Sequence, residues 1–244
     1  MSNEFQEVRR RVLFVTGTDT EVGKTYVCGA LLGYLRARGI QAGYQKWVAT
    51  GVEGEGLPQD LTECLAAAGQ RPEPGSLDWQ VPYRFHLPAS PHLAAEREKR
   101  QVDPEVVVER CREWALRHPF LLVEGVGGLL VPLRRDLLLA DLLARLRLPT
   151  LLVARSGLGT LNHTLLSLEA LRRRHIPVVG VVFSDAAAEE DEFLVADNLR
   201  TIAELGEVRV FGRLPWCRSL RERERYFQPI GEAVAAALGL RKPD

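Results

Sequence analysis

Gly17-Thr18-Asp19-Thr20-Glu21-Val22-Gly23-Lys24-Thr25 decides how the rest of this sequence is read. Ahead of it, Arg11-Val12-Leu13-Phe14-Val15-Thr16 is a short apolar run with the character of a buried strand. Behind it, Leu31, Leu32 and Leu35 recur at helix spacing within residues 26–38. A glycine-bounded loop between strand and helix gathers backbone N–H groups and a helix N-terminus into an anion site. Lys24 adds a compact cation for β and γ phosphates, and the Thr25 hydroxyl suits a hard, oxygen-seeking ion such as Mg²⁺. A glycine-rich turn that binds nothing would need neither residue. The commonest loop of this kind has four residues between its first glycine and Gly-Lys-Thr. Here five separate Gly17 from Gly23.

At 244 residues the chain is long enough for one sizeable α/β domain, and no interior stretch has linker composition. A formal net charge of zero excludes nucleic-acid binding driven by bulk charge. Cys28, Cys64, Cys111 and Cys217 are scattered without metal-ligand spacing, which excludes a zinc site or a disulfide framework and implies a reducing compartment. The first ten residues lack the apolar core of a signal peptide, and no run reaches the ~20 apolar residues of a membrane span. The expectation is a cytoplasmic protein with no membrane partner. Only four of the 32 basic residues are lysines: Lys24, Lys46, Lys99 and Lys242. Where a lysine persists in so arginine-rich a chain, a point charge is wanted rather than a planar fork. Lys24 fits that requirement, and Lys46 becomes a suspect.

Residues 42–48 read as the second strand, with Lys46 near its end and Ala49-Thr50-Gly51 beyond. Ligands of open parallel sheets bind past the carboxyl ends of the strands, so Lys46 and Thr50 are expected beside the γ-phosphate. Asp60 opens a helical pattern through Leu61, Leu65 and Ala68, either as a cap or as a first-turn acid with another task. Residues 71–91 are proline-rich and read as an irregular surface connection, long enough for a lid. Asp103 and Pro104 start a helix to His118 with Val107, Cys111 and Trp114 inward. Phe120 to Glu124 is a buried strand, and an acid there, followed by Gly125-Val126-Gly127-Gly128, is the kind that faces Mg²⁺ across a phosphate loop. Satisfaction by the next loop's amides is the alternative for Glu124.

Further on, a leucine-striped helix is expected over 136–146, strands over 150–154, 177–183 and 208–211, and helices from 163 to about 174 and over 189–205. Arg218 to Arg225 reads as a solvated charge run and 229–238 as a short last helix. Alternating strands and helices predict a mostly parallel sheet covered on both faces, in one domain with 1–10 and 218–244 peripheral.

The nine-residue loop resembles that of the dethiobiotin synthetases, P-loop enzymes of biotin synthesis, in its longer spacing. Lys46-Trp47-Val48-Ala49-Thr50-Gly51 is similar to the family's Lys-Pro-Val-x-Ser/Thr-Gly, although Trp47 replaces proline and Gln45 looks like an extra residue. Val123-Glu124-Gly125-Val126-Gly127-Gly128 resembles its Val-Glu-Gly-Ala/Val-Gly-Gly, Ser90-Pro91-His92 another of its segments, and Gly157 to His163 its Gly-x-x-Asn-His loop. The likeness runs from Val12 to about Trp216.

The resemblance implies a P-loop NTPase-like fold and an ATP-dependent ligase closing 7,8-diaminopelargonic acid and CO₂ into dethiobiotin through a carbamate. It gives Lys46, Lys24 and Thr20 the catalytic roles and makes Thr25, Asp60 and Glu124 the Mg²⁺ ligands. Glu21, Val22, Gly23, Lys24, Thr25 and Tyr26 would contact nucleotide, together with Asp60, Glu124, Gly125, Val126, Gly127, Ser184, Asp185, Pro215, Trp216 and Cys217. Thr20, Lys46 and Thr50 would hold substrate, and Gly159, Thr160, Leu161 and Asn162 would reach the substrate of the other subunit in a homodimer. Asn162 is otherwise a simple helix cap. Ser184-Asp185 stands where the family commonly has Asn-Asp to read adenine, and one hydroxyl cannot both donate to and accept from a base edge as an amide does. The rival reading is a regulatory ATPase of the partitioning type, which typically carries a second lysine early in the loop; none precedes Lys24 here.

Overall fold

In the computed structural model, which describes residues 6, 8–54 and 56–240, the run ahead of the glycine loop is strand β1 (Val12–Gly17), buried throughout. A parallel strand is covered on both faces, so it is apolar without alternation. Helix α1 (Lys24–Ala37) follows the loop directly, then β2 (Ala42–Lys46), β3 (Val48–Thr50), α2 (Gln59–Ala67) and α3 (Leu77–Gln80). Next come β4 (Tyr83–Phe85), α4 (Pro91–Arg97), α5 (Pro104–Arg117), β5 (Phe120–Gly128), β6 (Pro132–Arg134) and β7 (Leu137–Leu138). The chain continues through α6 (Leu139–Leu146), β8 (Thr150–Arg155), α7 (Thr160–Arg173), β9 (Val178–Ser184), α8 (Glu192–Leu205), β10 (Val210–Leu214) and α9 (Leu220–Ala237).

Six strands make one parallel sheet in the order β10-β9-β8-β1-β5-β2. β1 lies between β8 and β5, where the order of strands reverses, so its loop opens into the crevice that takes ligands in such sheets. Successive β1 side chains enter opposite cores, as the strand period of two requires. Leu13 and Val15 pack with Leu31 and Leu35 of α1, and Val12 and Phe14 with Trp47, Trp114 and Leu143. Parallel pairing sets Glu124 beside both Val15 and Lys46, levelling the ends of β1, β5 and β2.

Three expectations need correction. The 71–91 connection is not irregular throughout: Tyr83–Phe85 pairs in parallel with Val48–Thr50, and Ser90 leads straight into α4. The leucine helix begins at Leu139, because Leu137–Leu138 pairs back on Pro132–Arg134 while Asp141 Oδ2 accepts from the Leu138 N–H. The charge run and the last helix are one element, α9, passing through Pro229. Its Phe227, Ile230 and Val234 are core residues, so this segment is not the peripheral one its charges suggest. Val8 is buried as well, whereas residues 1–5 and 7 lie outside the described residues.

Candidate functional site

The phosphate loop holds itself open through backbone conformation. Glu21 and Gly23 both have positive φ, 56° and 90°, the left-handed conformation from which anion-binding backbone nests are built. Gly23 precedes α1 without any side-chain cap, leaving the helix N-terminus free for an anion. A Cβ on Gly23 would also collide with Ser184 Oγ, so glycine is required there twice over. Asp19 ties the loop together, its carboxylate accepting the Thr20 N–H at 2.7 Å and its backbone carbonyl accepting Lys24 Nζ at 2.7 Å. Burial, helped by the neighbouring Lys46 charge, pushes the Lys24 ammonium down to about 8. Across the crevice, a Cβ on Gly127 would come within 3.4 Å of Thr20 Oγ1, so the Gly125-Val126-Gly127 end of β5 lies at the loop's edge.

Beside the loop, three elements bring oxygen ligands to one point. Thr25 Oγ1, on α1, is 3.0 Å from Asp60 Oδ1 on α2 and 2.9 Å from Glu124 Oε1 on β5. Lys46 Nζ, at the end of β2, is 2.6 Å from Glu124 Oε1 and 2.9 Å from Asp60 Oδ2. Asp60 does not cap its helix: Pro58 is the cap, and the carboxylate points into the cluster. Burial opposes ionisation of both Lys46 and Asp60, yet the Glu124 and then the Asp60 carboxylates hold Lys46 above its ordinary range, and Lys46 with the Thr25 hydroxyl holds Asp60 below its own. A hydroxyl and two carboxylates converging on a point already occupied by an ammonium group form a hard donor set, and they fit Mg²⁺. Among the described residues no group of three or more His, Cys, Asp or Glu is arranged for a metal.

The two departures around Lys46 form a unit of their own. Trp47 is fully buried, its ring 4.6 Å from that of Phe14, and its Nε1 donates to Gln45 Oε1, whose Nε2 in turn donates to the Trp79 carbonyl. The chain leaves the main sheet at Trp47 and continues into β3, which carries half-buried Thr50 at its end.

The expected base-reading and substrate segments lie at the same edge of the sheet. Ser184 ends β9 with its Oγ buried and unpartnered, while Asp185 is taken up by Arg213 Nε and Nη2 at 2.7 Å each and by Ser156 Oγ at 2.5 Å. Tyr26 OH reaches the Pro215 carbonyl at 3.5 Å, Cys217 Sγ bonds the same carbonyl, and Trp216 is exposed. Gly159, at φ 88°, precedes α7 with no side-chain cap; Thr160 and Leu161 turn inward and Asn162, inside the helix, is exposed. Asn162 is therefore not the cap. Among the described residues, the buried side-chain polar atoms with no partner are Thr16 Oγ1, Thr18 Oγ1, Arg155 Nε and Ser184 Oγ. Thr16 and Thr18 lie in the end of β1 and the loop, Arg155 and Ser184 at the ends of β8 and β9, and buried polar groups of this kind are ordinarily paired.

A family model described as an AAA domain matches residues 11–224. An ATP-dependent dethiobiotin synthetase of Anaeromyxobacter dehalogenans is 44% identical over 229 residues, covering 93% of this chain and 99% of its own length. One of Brucella ovis is 42% identical over 203 residues, covering 83% and 85%. The chain belongs to the dethiobiotin synthetase family. Among solved structures, the MinD cell division protein of Aquifex aeolicus superposes with a TM-score of 0.56 at 12% identity, covering 96% of this chain and 99% of that one. A ParA family ATPase of Chlorobium tepidum gives 0.54 at 15%, covering 95% and 98%. At those identities the likeness to these two proteins concerns the fold alone.

Set against the family motifs, three contributors were missed. Asp19 organises the loop through backbone atoms, which side-chain type does not announce. Arg213 neutralises Asp185 from 28 residues away, and no local pattern links them. Tyr44 donates to Glu124 Oε2 at 2.7 Å; it had a readable signal, since a residue two before Lys46 on a strand shares its face.

Proposed function

We propose that this chain is an ATP-dependent dethiobiotin synthetase that carries out its chemistry at the Lys24, Lys46, Asp60 and Glu124 cluster. One observation carries the assignment of chemistry to this cluster: both carboxylates are held by Lys46 and Thr25, and two ammonium groups stand by the phosphate loop. A hydroxyl acceptor wants a free base. Two cations without one favour an acceptor that is already an anion, and a carbamate is such an anion. The diamine's nitrogen adds to CO₂, losing a proton, and a carbamate oxygen then takes the γ-phosphoryl group as ADP leaves. The second amine attacks the carbonyl carbon of the resulting anhydride and expels phosphate, closing the ureido ring.

Lys24 draws charge from the phosphates, Lys46 offsets repulsion between carbamate and γ-phosphate, and Thr20 and Thr50 orient the carbamate. Thr25, Asp60 and Glu124 would hold Mg²⁺, which when bound neutralises phosphate charge. Glu21, Val22, Gly23 and Tyr26 line the nucleotide, with Gly125, Val126 and Gly127 opposite; Ser184, Asp185, Pro215, Trp216 and Cys217 border the base. Gly159 to Asn162 present helix N–H groups to the carboxylate of substrate held by a second subunit, so the working unit is a homodimer; sedimentation of a fully active monomer would remove that part. Free buried thiols at Cys28, Cys64 and Cys111 support a cytoplasmic setting, and no described helix is long and apolar enough to cross a membrane.

The test is ring product scored by mass from protein, Mg²⁺, bicarbonate and diamine with ATP, CTP, GTP or UTP in turn. Product should require diamine and bicarbonate. Because Ser184 offers one hydroxyl where an amide would offer two groups, kcat/KM should differ across the four nucleotides by less than about 100-fold, on the order of 2.7 kcal/mol. A larger preference for ATP would show that base reading lies elsewhere, and no ring product with any nucleotide would reject the function.

A further inference from the structure

Glu124 is fully buried, and its two oxygens have different surroundings. Oε1 faces Thr25 and Lys46, while Oε2 is turned into the interior and accepts the Tyr44 hydroxyl at 2.7 Å. Tyr44 is 1% exposed, so this bond has no competition from bulk water. The tyrosine is itself fixed: β2 pairs with β5 so that Tyr44 lies opposite Leu122 and Lys46 opposite Glu124, and the Tyr44 carbonyl accepts Trp114 Nε1 at 3.2 Å. A carboxylate without such a donor could swing both oxygens toward a cation or leave one buried and unsatisfied.

We propose that Tyr44 is a positioning residue that commits Glu124 to bind Mg²⁺ through Oε1 alone. The inference rests on the reading of Glu124 as a metal ligand. Partners that orient a metal-binding carboxylate from behind govern affinity for the ion, and their loss typically costs about 10–100-fold. Tyr44 is buried with its hydroxyl on Glu124, so its effect on the site should run through that carboxylate.

Tyr44→Phe keeps the ring and removes the donor. Mn²⁺ binding to the protein with a non-hydrolysable ATP analogue, followed by electron paramagnetic resonance, should weaken about 10–100-fold. Affinity for the analogue in EDTA should stay within twofold, and kcat should recover at high Mg²⁺. General damage to the site would instead weaken the analogue with and without metal. Unchanged Mn²⁺ affinity, or an equal loss in EDTA, overturns the proposal. Glu124→Gln separates the two readings: if it leaves Mn²⁺ affinity unchanged, Glu124 is not a ligand; if it weakens Mn²⁺ while Tyr44→Phe does not, only the role of Tyr44 fails. Should Tyr44→Phe not fold, the Tyr44 hydroxyl proton of the unsubstituted protein, buried and hydrogen-bonded to Glu124, gives a second reading by NMR. Its resonance should move when Mg²⁺ joins the bound analogue, and a fixed resonance would refute the inference.

Discussion

Lys46→Met should abolish ring formation, leave nucleotide affinity nearly intact, and make the folded protein depend on a divalent cation. The first effect follows from removal of the charge that offsets repulsion between two anions at the moment of phosphoryl transfer. Loss of one such stabilising group typically lowers kcat by about 10²–10³. The second follows from placement, since Lys46 enters from β2 whereas the phosphate loop and α1 are the elements proposed to carry the nucleotide. The third is specific to this geometry. Lys46 Nζ bridges Glu124 and Asp60 with its side chain 5% exposed, so methionine leaves two carboxylates facing each other beside Thr25. Removing one partner of a buried pair costs about 3–5 kcal/mol. A divalent cation that binds only the folded variant should return much of that loss. Thermal unfolding in EDTA and in millimolar Mg²⁺ checks this: the variant's Tm should rise with Mg²⁺ and the wild type's should hardly move. Near-wild-type turnover at saturating diamine would remove Lys46 from the chemistry.

Lys24→Ala separates the two lysines, because it should weaken the nucleotide and turnover together. Lys24 Nζ rests on the Asp19 carbonyl, inside the loop proposed to receive the phosphates. Truncating one side of a close charge pair costs about 2–5 kcal/mol, roughly 30-fold or more in nucleotide Kd.

Much of this was legible because the decisive residues are local. The nine-residue loop places its own strand and helix, and Glu124 stands out as an acid ending an apolar run. Asp60 was ambiguous in sequence, since a first-turn acid is also what capping demands. The missed β3–β4 pair consists of three-residue strands among prolines, too short for a period to register. Pro229 suggested a helix start, yet α9 passes through it: Pro229 and Arg225 are both on the exposed face, so the carbonyl deprived of its N–H partner is free to meet water. The leucine stripe ran across a hairpin because Leu137, in β7, packs on the same core cluster as Leu142 and Leu146 of α6, so its apolar character continues the helix pattern. Lys46 read as a cation beside the γ-phosphate; its hold on both carboxylates depends on β2, α2 and β5 meeting in space, which spacing alone does not encode.

The central claim, that a carbamate oxygen is the atom phosphorylated between Lys24 and Lys46, is tested by following oxygen. If the carbamate attacks the γ-phosphorus, the bridging oxygen of the anhydride comes from CO₂, and ring closure by the second amine breaks its bond to carbon. Phosphate then departs with that oxygen. A single turnover with ¹⁸O-labelled bicarbonate in ordinary water, quenched before label exchanges with solvent, should release phosphate carrying one ¹⁸O per dethiobiotin formed. Ring product accompanied by unlabelled phosphate would contradict the account, because the γ-phosphoryl group would then have passed to water and not to the substrate.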